Sequence, residues 1–292
     1  MKKLFGGFAT QAELDREWDV ENAVPDFPAY VQKFLDESAA ARARLKPRLD
    51  VPYGPTLAEC CNVFPAKNAN APILLFIHGG FWKALTAHEF DRIATGPVEA
   101  GYAVVNVTHA LCPIVTMTEI VRQIRAALAW TYRNARTFNG DPDRIYVSGH
   151  SAGGHLAAMA MLTDWEGDYG LPADVIKGGI PISGAFDLRP FPHCFAQPQL
   201  RLTAGEVERC SPLFHIRPMK TPLVVAWGTA EGLAFQQQSG NFLAAWTTAG
   251  NHGRALLIDG ANHFEVMDGF TTADGLMTRA LEELRHSAEH SA

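Results

Sequence analysis

The sequence predicts an α/β protein in which a mostly parallel central sheet is flanked by helices, all within one domain spanning residues 1–292. Three observations carry this reading. From about residue 52 onward, short apolar runs rich in Val and Ile alternate with stretches of helical pattern, which is the signature of repeated strand–helix units. Gly149-His150-Ser151-Ala152-Gly153 stands between one such run and a small-residue stretch, the setting of a tight strand-to-helix turn. Finally, 292 residues of which 47% are hydrophobic and 19% charged can bury roughly three quarters of their unfolded surface, so no disulfide or metal is needed to hold the fold.

Residues 1–50 read as a helical cap segment. Its clearest part is 27–45, where Phe27, Tyr30, Val31, Phe34 and Leu35 fall at helical spacing. Strands are expected at 57–64, 73–78, 103–108, 145–148, 176–182, 223–227 and 255–258. Several are continuous apolar runs, as befits strands covered on both faces. Helices are expected at 87–99, 118–136, 152–162, 235–248 and 272–285. Segment 187–218, with prolines at 190, 192, 198 and 212, interrupts the rhythm and reads as a lid or pocket wall.

Composition excludes several classes. A net charge of −6 offers no basic stripe for nucleic acid, and the short run Arg42, Arg44, Lys46 and Arg48 reads as a solvated helix end. Five cysteines without regular spacing, two of them adjacent at Cys60 and Cys61, suit a reducing, cytoplasmic setting. Residues 1–9 imitate the start of a signal peptide, but Glu13, Asp15, Arg16 and Glu17 end the apolar run early. No stretch approaches the eighteen or so apolar residues of a membrane span. There is no H-E-x-x-H, no zinc-spaced cysteine cluster and no glycine-rich phosphate loop, so neither metal nor cofactor is expected. The expected partner is a small-molecule substrate; a homodimer is left open.

The chemistry is expected at the carboxyl ends of the strands, where parallel sheets place reactive groups. Ser151 sits in a G-x-S-x-G turn, with strand 145–148 before it and small residues after it. Glycines flank such a serine because side chains there would strike the neighbouring backbone. Ser151 is therefore the candidate nucleophile. Strand 73–77 ends in His78-Gly79-Gly80-Phe81-Trp82, whose paired glycines allow close backbone approach to a substrate. The oxyanion donors are assigned to Ala152 and to the loop at Gly80 and Phe81; losing one such donor typically costs about 3–4 kcal/mol of transition-state stabilisation. His78 is expected to brace that loop. Trp82 is expected either to line the pocket or to pack.

Among eleven histidines, His263 follows the last strand and satisfies the chain order serine, acid, histidine; His252 lies at the wrong end of that strand. The acid should leave strand 223–227, and Glu231 is the carboxylate in the following loop, where it could orient the imidazole. Asp259 is the alternative, although its place four residues before His263 makes the far ring nitrogen harder to reach.

Several of these segments resemble the kynurenine formamidase (arylformamidase) group of α/β hydrolases. They are His78-Gly79-Gly80-Phe81-Trp82, the elbow from Gly149 to Leu156, Ser183-Gly184-Ala185-Phe186-Asp187-Leu188-Arg189-Pro190 with Ser211-Pro212-Leu213, Glu231 through Ser239, and Asn262-His263-Phe264-Glu265-Val266. The resemblance covers most of the chain. It implies the α/β-hydrolase fold and a triad of Ser151, Glu231 and His263. The implied reaction is hydrolysis of N-formyl-kynurenine through a formyl-enzyme, and Trp82 and Phe186 could then stack on the aryl leaving group or serve as core. Eukaryotic members carry aspartate where this chain has Glu231. Similar bacterial sequences include esterases and amidases, so a carboxylesterase or amidase acting on another small aromatic or short-acyl substrate is the alternative. A binding protein on an inactive hydrolase scaffold would show damage to the triad or the glycine loop, and none is visible.

Overall fold

The sheet forms where the sequence concentrates β-branched and aromatic residues, and the helices form where apolar positions fall on one face. A computed structural model describes residues 4, 5 and 7–290. Met1–Lys3 and Gly6, part of the signal-like run, lie outside the described residues. In chain order the elements are α1 (Gln11–Trp18), α2 (Phe27–Leu45), β1 (Arg48–Pro52), β2 (Cys60–Phe64), β3 (Ala71–Ile77), α3 (Thr95–Glu99), β4 (Ala103–Val107), α4 (Met117–Asn134), β5 (Gly140–His150), α5 (Ala152–Met161), α6 (Trp165–Tyr169), β6 (Ile176–Ile182), α7 (Gln197–Leu200), α8 (Ala204–Arg209), β7 (Leu223–Gly228), α9 (Leu233–Thr248), β8 (Gly253–Ile258) and α10 (Leu276–His290).

The eight strands form one sheet in the order β1-β2-β4-β3-β5-β6-β7-β8. β1 and β2 pair antiparallel, as do β2 and β4, and the remaining pairs are parallel. This is the α/β architecture expected from the alternation. Along β3, Ile73, Leu75 and Ile77 enter the hydrophobic core on one face, and Leu74 and Phe76 enter the core on the other. That period of two on a strand covered on both sides explains why the run is apolar throughout.

Several boundaries differ from the expectation, each for a physical reason. Residues 48–52, read as the end of the helical cap segment, form edge strand β1, most of whose residues are exposed. An exposed edge leaves little periodic signal. β2 begins at Cys60 rather than at 57, and Leu57 is fully exposed. The stretch 87–99 is broken into 3-10 turns at Ala87–Glu89 and Asp91–Ala94 before α3. Here Asp91 is wholly buried and accepts hydrogen bonds from Asn62, Asn106 and Arg42. The carboxylate thus anchors the segment where a continuous helix was expected.

Segment 187–218, read as a lid or pocket wall, packs much of its length against the core. It folds into the turns Phe191–His193 and Pro212–His215 with α7 and α8 between them, and Phe191, Cys194, Ala196, Leu200 and Cys210 are buried. The covering role falls to α2. Asp26 caps its start by accepting from the Ala29 N–H, and Lys46 ends it in the left-handed conformation. Ser38 donates to the Glu89 carbonyl at 3.0 Å, Arg42 pairs with Asp91 at 2.9 Å and Lys33 with Asp268 at 2.7 Å. Among the described residues, no helix is long and apolar enough to cross a membrane.

Candidate active site

The turn between β5 and α5 places Ser151 at φ 57°, ψ −118°, a conformation that costs a side-chain-bearing residue about 1–3 kcal/mol. The surroundings impose it. The Ser151 N–H donates to the Ile182 carbonyl at 2.9 Å, and the Ser151 carbonyl accepts from the His155 N–H at 3.1 Å. A Cβ on Gly153 would collide with the Ile77 carbonyl, and one on Gly149 with the Gly153 carbonyl. Glycine is therefore required at both flanks, and α5 can start immediately beneath the serine.

The loop after β3 is equally constrained. Gly80 has φ 110°, and Phe81 and Trp82 follow at 51° and 55°. The Lys83 and Ala84 N–H groups both donate to the Gly80 carbonyl at 3.0 Å. His78 braces the loop as expected: its Nδ1–H donates to the Gly79 carbonyl at 2.7 Å, and its ring stacks on His109 at 4.3 Å. Burial pushes the His78 pKa down to about 4, so the brace is a neutral imidazole. Among the described residues, the backbone N–H groups of Gly80, Phe81 and Ala152 have no protein partner. Unpaired amides beside a strained serine are what an oxyanion site requires.

Glu231 follows β7, and its side chain is fully buried. Oε2 accepts from the Ser183 hydroxyl at 2.7 Å and from the Gly228 N–H at 2.9 Å, while Oε1 meets His263 Nδ1 at 2.5 Å. A carboxylate can only accept, so Nδ1 carries the proton and Nε2 presents a lone pair. Asp259, the alternative acid, lies on the exposed rim and accepts from the Thr229 hydroxyl at 3.2 Å. The structure thus pairs Glu231, not Asp259, with His263. His252 lines a depression containing Leu223 and Val224 at the start of β7, away from Ser151.

Ser151 and His263 open into one cleft of about 150 Å³. Gly80, Phe81, His150 and Phe90 also line it, with Phe264 from the loop of His263. From α2 come Phe27, Tyr30, Val31 and Phe34. The His150 ring sits 4.5 Å from that of His263, and burial, reinforced by His263, holds its pKa well below the ordinary histidine value. This makes it a neutral wall of the cleft. No segment of 187–218 contributes to the lining.

Two expected substrate contacts are corrected. Trp82 is buried, donates from Nε1 to His155 Nδ1 at 3.0 Å and packs edge-on against Phe191. It holds α5 against the loop. Phe186 is wholly buried and stacked on Phe242 at 4.2 Å. Both are core residues. The aromatic wall comes instead from Phe27, Tyr30 and Phe34 of α2 with Phe81, Phe90 and Phe264. The apolar stripe at 27–34 was readable, but a stripe does not say what it covers.

Known proteins with similar sequences include formamidases and esterases. A family model described as BD-FAE matches residues 63–174. The chain is 28% identical over 260 residues to the kynurenine formamidase of Danio rerio, covering 87% of both chains. It is 27% identical to that of Salmo salar, covering 92% of this chain and 94% of the relative. The esterase LipQ of Mycobacterium tuberculosis is 27% identical over 69% of this chain and 53% of its own length. Among solved structures, a thioesterase candidate from Silicibacter sp. TM1040 superposes with a TM-score of 0.82 at 26% identity, covering 92% of this chain and 99% of that one. An esterase from Pyrobaculum calidifontis superposes at 0.66 with 18% identity, covering 96% and 97%, and shares the fold. The chain is a serine hydrolase of the α/β-hydrolase fold, similar over most of its length to the kynurenine formamidases.

Proposed function

We propose that the protein hydrolyses an aryl formamide of the N-formyl-kynurenine type, with Ser151 as nucleophile, His263 as general base and Glu231 as the acid that orients it. The observation that carries the triad is the 2.5 Å bond from His263 Nδ1 to a buried carboxylate, on a histidine that shares its cleft with the strained serine. The relatives named kynurenine formamidase support the substrate class.

In this reading His263 Nε2 takes the proton of the Ser151 hydroxyl as Oγ attacks the formyl carbon. The developing oxyanion is met by the free amides of Ala152 and of Gly80 or Phe81. His263 then gives its proton to the departing aryl amine, the C–N bond breaks, and a formyl ester remains on Ser151. Water, deprotonated by the same Nε2, releases formate. Glu231 stays ionised throughout and stabilises the imidazolium. A small cleft with an aromatic roof suits a one-carbon acyl group on an aryl amine. We place this activity in the cytoplasm, as the cysteine usage suggests.

The mycobacterial esterase relative favours a second reading, a carboxylesterase or amidase for another short-acyl substrate. Comparing kcat/KM on N-formyl-kynurenine and on p-nitrophenyl acetate separates the two. A formamide rate that stands above the acetate rate is expected. A formamide rate at the background of a generic esterase gives the second reading the field.

A further inference from the structure

The loop that carries His263 is held in an unusual way. Asn262 Oδ1 accepts from the N–H groups of Phe264 and Glu265 at 2.9 and 3.2 Å, and Glu265 Oε2 accepts from the Asn262 N–H at 3.1 Å. The loop therefore closes on itself around His263. One hydroxyl from outside completes it: Tyr30 of α2 donates to Glu265 Oε1 at 2.8 Å and accepts from Asn262 Nδ2 at 2.8 Å. Its ring stacks on Phe264 at 5.2 Å, and Phe27 of the same helix lies 5.3 Å from Phe264 on centroids. Tyr30 and Phe264 both line the cleft.

Glu231 fixes one point of the imidazole, at Nδ1. Rotation about that point is limited by the rings of His150 and Phe235, 4.5 and 4.3 Å from the imidazole, and by the backbone on either side of His263, which is the segment the Tyr30 circuit holds. We propose that Tyr30 is a positioning residue for His263, its hydroxyl locking the cap helix onto the base loop so that Nε2 is aimed correctly only with α2 seated. The inference rests on His263 being the base. A misplacement of about 1 Å at a reacting group can cost on the order of a hundredfold in rate, and losing one of several restraints should cost less. The second fastening between α2 and this region, Lys33 with Asp268, has both side chains more than a third exposed, and exposed pairs of this kind hold weakly.

The test is the rate of covalent labelling by a fluorophosphonate, which needs serine hydrolase chemistry but no knowledge of the natural substrate. It is measured alongside kcat and KM on p-nitrophenyl acetate. Tyr30→Phe keeps the aromatic wall and removes the hydroxyl. Its labelling rate and kcat are expected to fall about tenfold, with KM within about twofold of wild type. Lys33→Met, which loosens the helix but leaves the circuit, is expected to stay within about twofold on every readout. Combined with Asn262→Ala, Tyr30→Phe should add nothing, because both act through one loop. The proposal is overturned by wild-type kcat in Tyr30→Phe, by an equal loss in Lys33→Met, or by a double variant whose loss is the product of the single losses. Wild-type protein that is not labelled at Ser151 would instead sink the underlying assignment of the site, and the clamp with it.

Discussion

Glu231 is wholly buried, and its two oxygens take three hydrogen bonds, from Ser183, Gly228 and His263. Replacing it by Gln keeps the shape but lets the amide donate, so His263 could turn its lone pair towards position 231 and its N–H towards Ser151. Glu231→Gln is therefore expected to lower kcat by about 10⁴, the loss seen when a triad carboxylate is replaced and the histidine adopts the wrong tautomer; steady-state turnover of p-nitrophenyl acetate measures it. Activity within tenfold of wild type would mean that the carboxylate orients nothing. This pairing was legible as a preference, because the acid is expected in the loop after β7, where Glu231 is the carboxylate; Asp259 stayed open until its place on the exposed rim was seen. The choice between Trp82 or Phe186 as pocket and as core was not legible. Both kinds of aromatic look alike until their neighbours are known, and here those neighbours are His155, Phe191 and Phe242.

At the scale of elements, α5 begins where it does because Gly153 lets the helix backbone press against the end of β3. Gly153→Ala must push α5 away from Ile77 and His78, which moves Ser151 and the Ala152 amide together. Expected is a loss of at least about 2 kcal/mol of stability, the range of an overpacked core, with activity reduced to background, read by urea unfolding and ester turnover. Gly240 is the control. It lies inside α9, and a Cβ there meets nothing within 4 Å. Gly240→Ala should stabilise by about 0.5–1 kcal/mol through helix propensity alone, without changing turnover. The elbow was readable because its glycines answer to a local steric demand. β1 and the broken turns at 87–94 were not, because an exposed edge and a buried Asp91 depend on partners remote in sequence. The same holds for α2, whose stripe announced a helix and not the roof of a cleft.

Across the whole molecule, His78, His109, His150 and His155 are buried and held neutral, chiefly by desolvation. His155 shows the consequence most directly: Nδ1 accepts from the Trp82 indole at 3.0 Å, and Nε2–H donates to the Cys210 carbonyl at 2.6 Å. Protonating Nδ1 would break the first bond. The pKa values of His78 and His155 are pushed down to about 4 from 6.5. Between those limits the unfolded chain takes up protons that these two residues in the folded chain do not, so their contribution to stability is lost as pH falls from 6.5 to 4. Each residue contributes up to about 3 kcal/mol to that loss. The urea midpoint should drop between pH 7 and pH 5. His155→Gln, whose amide can both accept from Trp82 and donate to Cys210, should shrink the drop. A midpoint that does not change with pH would contradict this.

The central claim is that Ser151, at the carboxyl end of the interior strand β5, is made nucleophilic by His263. Mass spectrometry of the protein after brief exposure to a fluorophosphonate addresses it most directly. The adduct is expected on the peptide carrying Ser151, absent in Ser151→Ala and formed at least about a hundredfold more slowly in His263→Ala. Labelling of Ser151→Ala at the wild-type rate, or an adduct on any other residue, would contradict the account.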